Sequence, residues 1–177
     1  ERDFLETRFK EINKKNIIQG ATSNPAIFES SITTSVAYKQ QLDMLQANNA
    51  KTIYEELALT DIKRAAALLT DLHKKDADDG FISIEVDPLL CDDAAGTIEE
   101  GVRLYSSISA DNVMIKIPAT EAGYIAMREL TSKGINVNAT LIFSPEQAIK
   151  CTQALDEGIK DSNKDIKAVV SVFVSRF

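Results

Sequence analysis

Four β-type stretches in this chain share a property that few folds accommodate: each sets a polar row on one face against an apolar row on the other. Residues 81–88, Phe-Ile-Ser-Ile-Glu-Val-Asp-Pro, alternate strictly and gather Ser83, Glu85 and Asp87 on one side. In residues 112–118, Asn-Val-Met-Ile-Lys-Ile-Pro, the side chains of Val113, Ile115 and Ile117 face one way and those of Met114 and Lys116 the other. Asn136, Asn138 and Thr140 share a face within residues 135–143, as do Ser171, Phe173 and Ser175 within residues 168–176.

Helical patterns separate these stretches. The spacing of Phe4, Leu5, Phe9 and Ile12 predicts an amphipathic helix over residues 1–15, followed by a short strand over 17–24 that Pro25 closes. Residues 25–47 read as irregular helix, and 51–72 as a strong amphipathic helix bearing Ile53, Leu57, Ile62, Ala66 and Leu69. Further helices are expected over 94–110, over 121–133 with Gly134 as its cap, and from Pro145 with Ser144 as N-cap. Strands that alternate with helices imply crossover connections and a parallel sheet.

A parallel sheet covered on both faces should be apolar throughout its strands, and these strands are not. A flat sheet with one wet face would force every helix to the other side. A barrel resolves the conflict: helices cover the outside, and the carboxyl ends of the strands converge polar groups on a central pocket. The expectation is therefore an α/β fold of the (β/α)8 TIM-barrel type, with residues 1–177 forming a single, incomplete domain.

Composition narrows the function. At 177 residues and 44% apolar content the chain can bury a substantial core, and its charge of −7 argues against a non-specific nucleic-acid binder. No apolar run reaches the ~20 residues that span a bilayer. Cys91 and Cys151 are far apart and read as reduced thiols of a cytoplasmic protein. His73 is the sole histidine, which leaves no multi-histidine metal site and a single candidate base for any Ser-His pair.

The polar rows hold the candidate chemistry. An ammonium group at the carboxyl end of a buried strand must be paired or shed its proton more readily than in water, and a free amine forms a Schiff base with a carbonyl. Lys116 is the candidate nucleophile, and Glu85 can relay protons directly or through a water held by Thr140. Asn24, Asn138 and Ser171 can donate to and accept from substrate hydroxyls, and Arg176 can grip a phosphate in a bidentate pair. The plainer alternatives are a Lys116 that snorkels from an edge strand, or a Lys116–Glu85 ion pair with no catalytic role.

The motifs Ala21-Thr22-Ser23-Asn24-Pro25, Ser83-Ile84-Glu85-Val86-Asp87, Ile115-Lys116-Ile117-Pro118-Ala119, Asn138-Ala139-Thr140-Leu141-Ile142-Phe143-Ser144 and Ser171-Val172-Phe173-Val174-Ser175-Arg176, taken in this order, resemble the transaldolase family. The resemblance runs almost end to end. It implies that Lys116 is the Schiff-base lysine, that Glu85 and Thr140 hold the catalytic water, and that Asn24, Asn138 and Ser171 bind a dihydroxyacetone unit lined by Phe173. Arg176 matches a phosphate-binding arginine. The implied reaction moves that unit from sedoheptulose 7-phosphate or fructose 6-phosphate to an aldose phosphate, in the pentose phosphate pathway, without a cofactor. Partners would be sugar phosphates, with neither nucleic acid nor membrane.

The resemblance also implies parts that these residues do not include. An acid/base aspartate would lie on a strand before Glu1, and two further strands with a second arginine would follow Phe177. These residues then correspond to strands two to six of eight. Either the flanking strands complete the barrel, or the open edges associate, as in a homo-oligomer. Rival readings are a related Schiff-base aldolase that releases the three-carbon unit, and a catalytically inactive sugar-phosphate-binding fragment.

Overall fold

The computed structural model describes residues 1–175 in two compact units, one over residues 1–82 and 110–112, the other over 83–109 and 113–175. In the first, α1 (Arg2–Phe4) passes through one wide π-type turn, Leu5–Phe9, into α2 (Lys10–Lys14). Then come β1 (Gly20–Thr22), α3 (Pro25–Thr34), α4 (Lys39–Leu45) and α5 (Ala50–Lys75). The helix predicted over 51–72 is this α5, capped by the Asn49 side chain, which accepts from the Thr52 amide at 2.9 Å. Its face carrying Leu57, Ile62, Ala66 and Leu69 is buried, as the periodicity requires.

One charged group sits in this core. Asp61, 3% exposed, accepts from Arg2 Nε at 2.8 Å and from the Tyr38 hydroxyl at 2.6 Å, and the Arg2 guanidinium lies 4.4 Å from the Tyr38 ring centroid. A carboxylate is tolerated there because both oxygens have partners. Burial first, and then the hydrogen bond to Asp61, push the Tyr38 hydroxyl well above its ordinary pKa.

The strand β2 (Phe81–Glu85) follows Gly80, whose φ of +76° turns the chain after α5. A Cβ at Gly80 would stand 2.6 Å from the His73 backbone nitrogen, so this turn excludes larger residues. The second unit continues with α6 (Ala94–Ile108), β3 (Val113–Pro118), α7 (Glu121–Ser132), β4 (Val137–Ile142), α8 (Pro145–Asp161) and β5 (Ala168–Val172). Asp93, Thr120 and Ser144 cap α6, α7 and α8 by accepting from the amides of Gly96, Gly123 and Gln147. After α7, Gly134 at φ +78° reverses the chain.

The strands are hydrogen-bonded in chain order, β1-β2-β3-β4-β5. Lys116 pairs with Asn138 and Pro118 with Thr140 in the parallel β3–β4 ladder, and β4 runs parallel to β5. Consecutive neighbours joined by helices are the order of successive strands in a TIM-type barrel; a doubly wound sheet reverses its order at a switch point. The architecture is thus α/β, of the partial-barrel type expected. Val113, Ile115, Ile117, Val137 and Ala139 are wholly buried, as are Ala126, Met127 and Leu130 of α7. Each large apolar side chain removed from water in this way stabilises by about 1.5–3 kcal/mol.

Strands are shorter than the patterns suggest. The first, expected over 17–24, has only Gly20–Thr22 in ladder geometry, and the last ends at Val172. Among the described residues, no helix is long and apolar enough to cross a membrane.

Candidate active site

Lys116 occupies the fourth position of β3 and is 7% exposed. Its Nζ lies 3.4 Å from Glu85 Oε2 at the end of the neighbouring β2, with 9% of the lysine side chain and 18% of the carboxylate side chain reached by solvent. At that separation and an effective dielectric near 20, the attraction is about 5 kcal/mol before desolvation is subtracted. The pair therefore sits where both charges are costly to bury and each compensates the other. Such a site can hand a proton between amine and carboxylate.

A chain of amide and hydroxyl groups crosses the sheet beside this pair. Asn138 is level with Lys116 in the ladder, and its Nδ2 donates to Ser83 Oγ at 3.1 Å. Ser171 Oγ donates to Asn138 Oδ1 at 2.8 Å. Ser83 and Asn138 are buried, so β2, β4 and β5 are tied together by polar groups that have found one another instead of water. Thr140, next on the same face of β4, is 1% exposed. The predicted residues Lys116, Glu85, Asn138 and Ser171 are thus brought within one hydrogen-bonded neighbourhood, with Thr140 one ladder position beyond Asn138.

Beyond Thr140 the strand departs from plain alternation. Leu141 has φ +56°, in the left-handed region, and the β4–β5 register slips by one residue between Ala139, opposite Val170, and Ile142, opposite Val172. Two residues, Thr140 and Leu141, therefore oppose Ser171 alone, which is a β-bulge. The phase changes in consequence: Ile142 is fully buried, and Phe143 meets Phe173, with ring centroids 5.4 Å apart and planes at 40°. Gln147 of α8 secures this end, accepting from the Phe143 amide at 2.9 Å and donating to the Ala119 carbonyl at 3.1 Å.

Asn24 belongs to the other unit, is exposed, and spends its Oδ1 on capping α3, accepting from the Ala26 amide at 2.8 Å. Arg176 lies outside the described residues. Asn136, although on the polar face by sequence, works at the amino end of the strands: its Nδ2 donates to the Val113 carbonyl and its Oδ1 accepts from the Lys167 amide. Asp87 accepts from the Leu89 amide to cap the turn Pro88–Leu90.

Two participants were under-read from sequence. Ser83 had a signal, since it alternates with Glu85, yet an isolated serine there is read most simply as structural. Phe143 had none, because strict alternation puts it on the opposite face to Asn138 and Thr140. Among the described residues, no group of three or more His, Cys, Asp or Glu side chains is placed to hold a metal ion. What the arrangement offers is a buried amine with a carboxylate, hydroxyl and amide groups beside it, and two aromatic rings at the strand ends.

A family model for transaldolase/fructose-6-phosphate aldolase matches residues 1–177. A Helicobacter pylori (strain Shi470) protein named transaldolase is 49% identical over 177 residues, covering 100% of this chain and 54% of that protein. A Campylobacter jejuni subsp. jejuni (strain 81-176) protein of the same name is 48% identical over 190 residues, covering 99% and 58% respectively. The chain spans about half the length of the curated relatives it matches.

Proposed function

Because the chain belongs to the transaldolase/fructose-6-phosphate aldolase family, we propose that it carries the imine-forming half of a transaldolase site, with Lys116 as nucleophile. The neutral amine of Lys116 attacks the keto carbon of a ketose phosphate such as fructose 6-phosphate or sedoheptulose 7-phosphate. Glu85 accepts the proton that the amine sheds and returns one to the carbinolamine hydroxyl, which leaves as water and yields the protonated imine. Thr140 holds the water through which that relay runs.

When the bond beyond the imine carbon breaks, its electron pair flows into the iminium to give an enamine, and the shortened sugar leaves as an aldose phosphate. The enamine carbon then attacks the aldehyde of an acceptor aldose phosphate, and water hydrolyses the new imine to free Lys116. Asn138 and Ser171 hold the hydroxyls of the retained three-carbon unit, Phe173 lines it, and Arg176 receives the phosphate.

The observation that carries this reading is Lys116 Nζ, almost wholly buried, 3.4 Å from Glu85 and level with Asn138. Borohydride reduction in the presence of fructose 6-phosphate tests it. A stable adduct on Lys116 is expected, and an adduct that persists in Lys116→Ala, or none in the unsubstituted protein, refutes it.

The family description also names an aldolase activity, which uses the same lysine and releases the three-carbon unit. Transfer to erythrose 4-phosphate, measured against release of free dihydroxyacetone, separates the two. We expect transfer to dominate, in line with the name borne by the matched relatives.

A further inference from the structure

We propose that the left-handed turn held at Leu141 makes this a positioning residue of the site, and that by re-aiming β4 it makes Phe143 a specificity-determining residue. The inference rests on the imine reading above and deepens it. In an unbroken strand, Asn138, Thr140 and Ile142 would share one face, and Phe143 would point with Ala139 to the opposite one. The residue inserted at Leu141 restores Ile142 to the phase of Val137 and Ala139, and all three are fully buried. Phe143 is thereby delivered to the face of Ser171 and Phe173, where its ring packs at a tilt against Phe173 and the residue keeps 36% of its surface open.

Leucine is a poor choice for a left-handed position on conformational grounds, because its Cβ crowds the following carbonyl. The residue is 37% exposed, so burial of its side chain is incomplete. A strained residue next to Thr140, in a bulge opposite Ser171, is the placement expected where backbone strain aims side chains at a ligand. The Gln147 clasp between the Phe143 amide and the Ala119 carbonyl then holds the aimed segment against the end of β3. Two half-exposed rings beside an amide and a hydroxyl form a wall on which the C–H face of a sugar chain packs, while its hydroxyls turn to Asn138 and Ser171.

The test compares substitutions that replace the same side chain but differ in backbone preference. Leu141→Gly and Leu141→Asn accept the left-handed conformation; Leu141→Val resists it. Each variant is trapped with borohydride in the presence of fructose 6-phosphate, and its kcat and KM are measured with that sugar. Leu141→Gly and Leu141→Asn should stay within about threefold of the unsubstituted protein. Leu141→Val should still be trapped on Lys116 but lose on the order of 10- to 100-fold in kcat/KM, as small misplacements of positioning groups do.

Should Leu141→Val not fold, Phe143→Leu decides, since it leaves the backbone alone: KM should rise about tenfold, with trapping retained at saturating sugar. Equal kinetics for Leu141→Gly and Leu141→Val, or an unchanged KM in Phe143→Leu, overturn the proposal while leaving Lys116 in place. Failure to trap even the unsubstituted protein overturns the imine reading, and this inference with it.

Discussion

Asp61 offers the sharpest test of what holds the first unit together. Its two oxygens take one hydrogen bond each, from Arg2 Nε at 2.8 Å and from the Tyr38 hydroxyl at 2.6 Å, inside a site that is 3% exposed. Hydrogen bonds to a charged group are worth about 1.5–3 kcal/mol apiece, so losing both costs about 3–6 kcal/mol. Arg2 keeps the Ala37 carbonyl at 3.1 Å and Gln41 Oε1 at 2.8 Å, so its charge is only partly abandoned. Removing one partner of a buried pair typically costs 3–5 kcal/mol, which brackets the same value. Asp61→Ala is therefore expected to destabilise by about 4 kcal/mol.

Urea unfolding at equilibrium measures this, with the midpoint falling and the slope unchanged. Tyr38→Phe should cost about 1–2 kcal/mol, and the double substitution should cost less than the sum, because the two residues share a bond. A loss below about 1 kcal/mol in Asp61→Ala, or strict additivity with Tyr38→Phe, would refute the reasoning.

Glu85→Gln keeps shape and hydrogen bonding but cannot relay a proton, so kcat should fall by about 10²-fold or more with KM within a few-fold, read from steady-state kinetics. Burial pushes the Cys151 thiol up to about 11 from its ordinary 9. At pH 8 an alkylating reagent should therefore modify the half-buried Cys91 before Cys151, as peptide mapping would reveal. The unfolded chain ionises Cys151 near 9 and the folded one only near 11, so its stabilising contribution is complete below pH 9 and is lost as pH rises towards 11. Tyr38, raised from its ordinary 10, adds to the same alkaline loss above pH 10. Unfolding midpoints between pH 8 and 11 should fall, and less steeply in Cys151→Ala. At Gly158 an added Cβ would stand 1.9 Å from Thr131 Oγ1 and 2.2 Å from the Arg128 carbonyl oxygen, so Gly158→Ala must part α7 from α8. Its cost should reach about 2 kcal/mol or more by the same unfolding assay.

Local pattern determined the kinds of element and the polar face. Helix starts were legible because a capping side chain and the amide it serves lie within three residues, as at Ser144 with Pro145. Strands were legible because alternation is a property of successive residues, and it assigns Lys116, Glu85, Asn138 and Ser171 to the polar rows of their strands. Their partnerships needed the register: only the pairing of Lys116 with Asn138 makes those side chains neighbours, and only the packing of three strands lets Asn138 reach both Ser83 and Ser171.

Tertiary structure alone decided the break at Leu141. No residue type in Asn138-Ala139-Thr140-Leu141-Ile142-Phe143 announces a left-handed turn, since leucine disfavours it and no glycine is present. The bulge persists because Ile142 fills the core and because Gln147, which accepts from the Phe143 amide, also reaches across to the Ala119 carbonyl at the end of β3. Hydrophobic period and capping are written into adjacent residues, whereas register, bulge and side-chain partnership are energies of assembled surfaces. That difference is why the sequence by itself determined which side chains could take part, and the assembled strands determined how they meet.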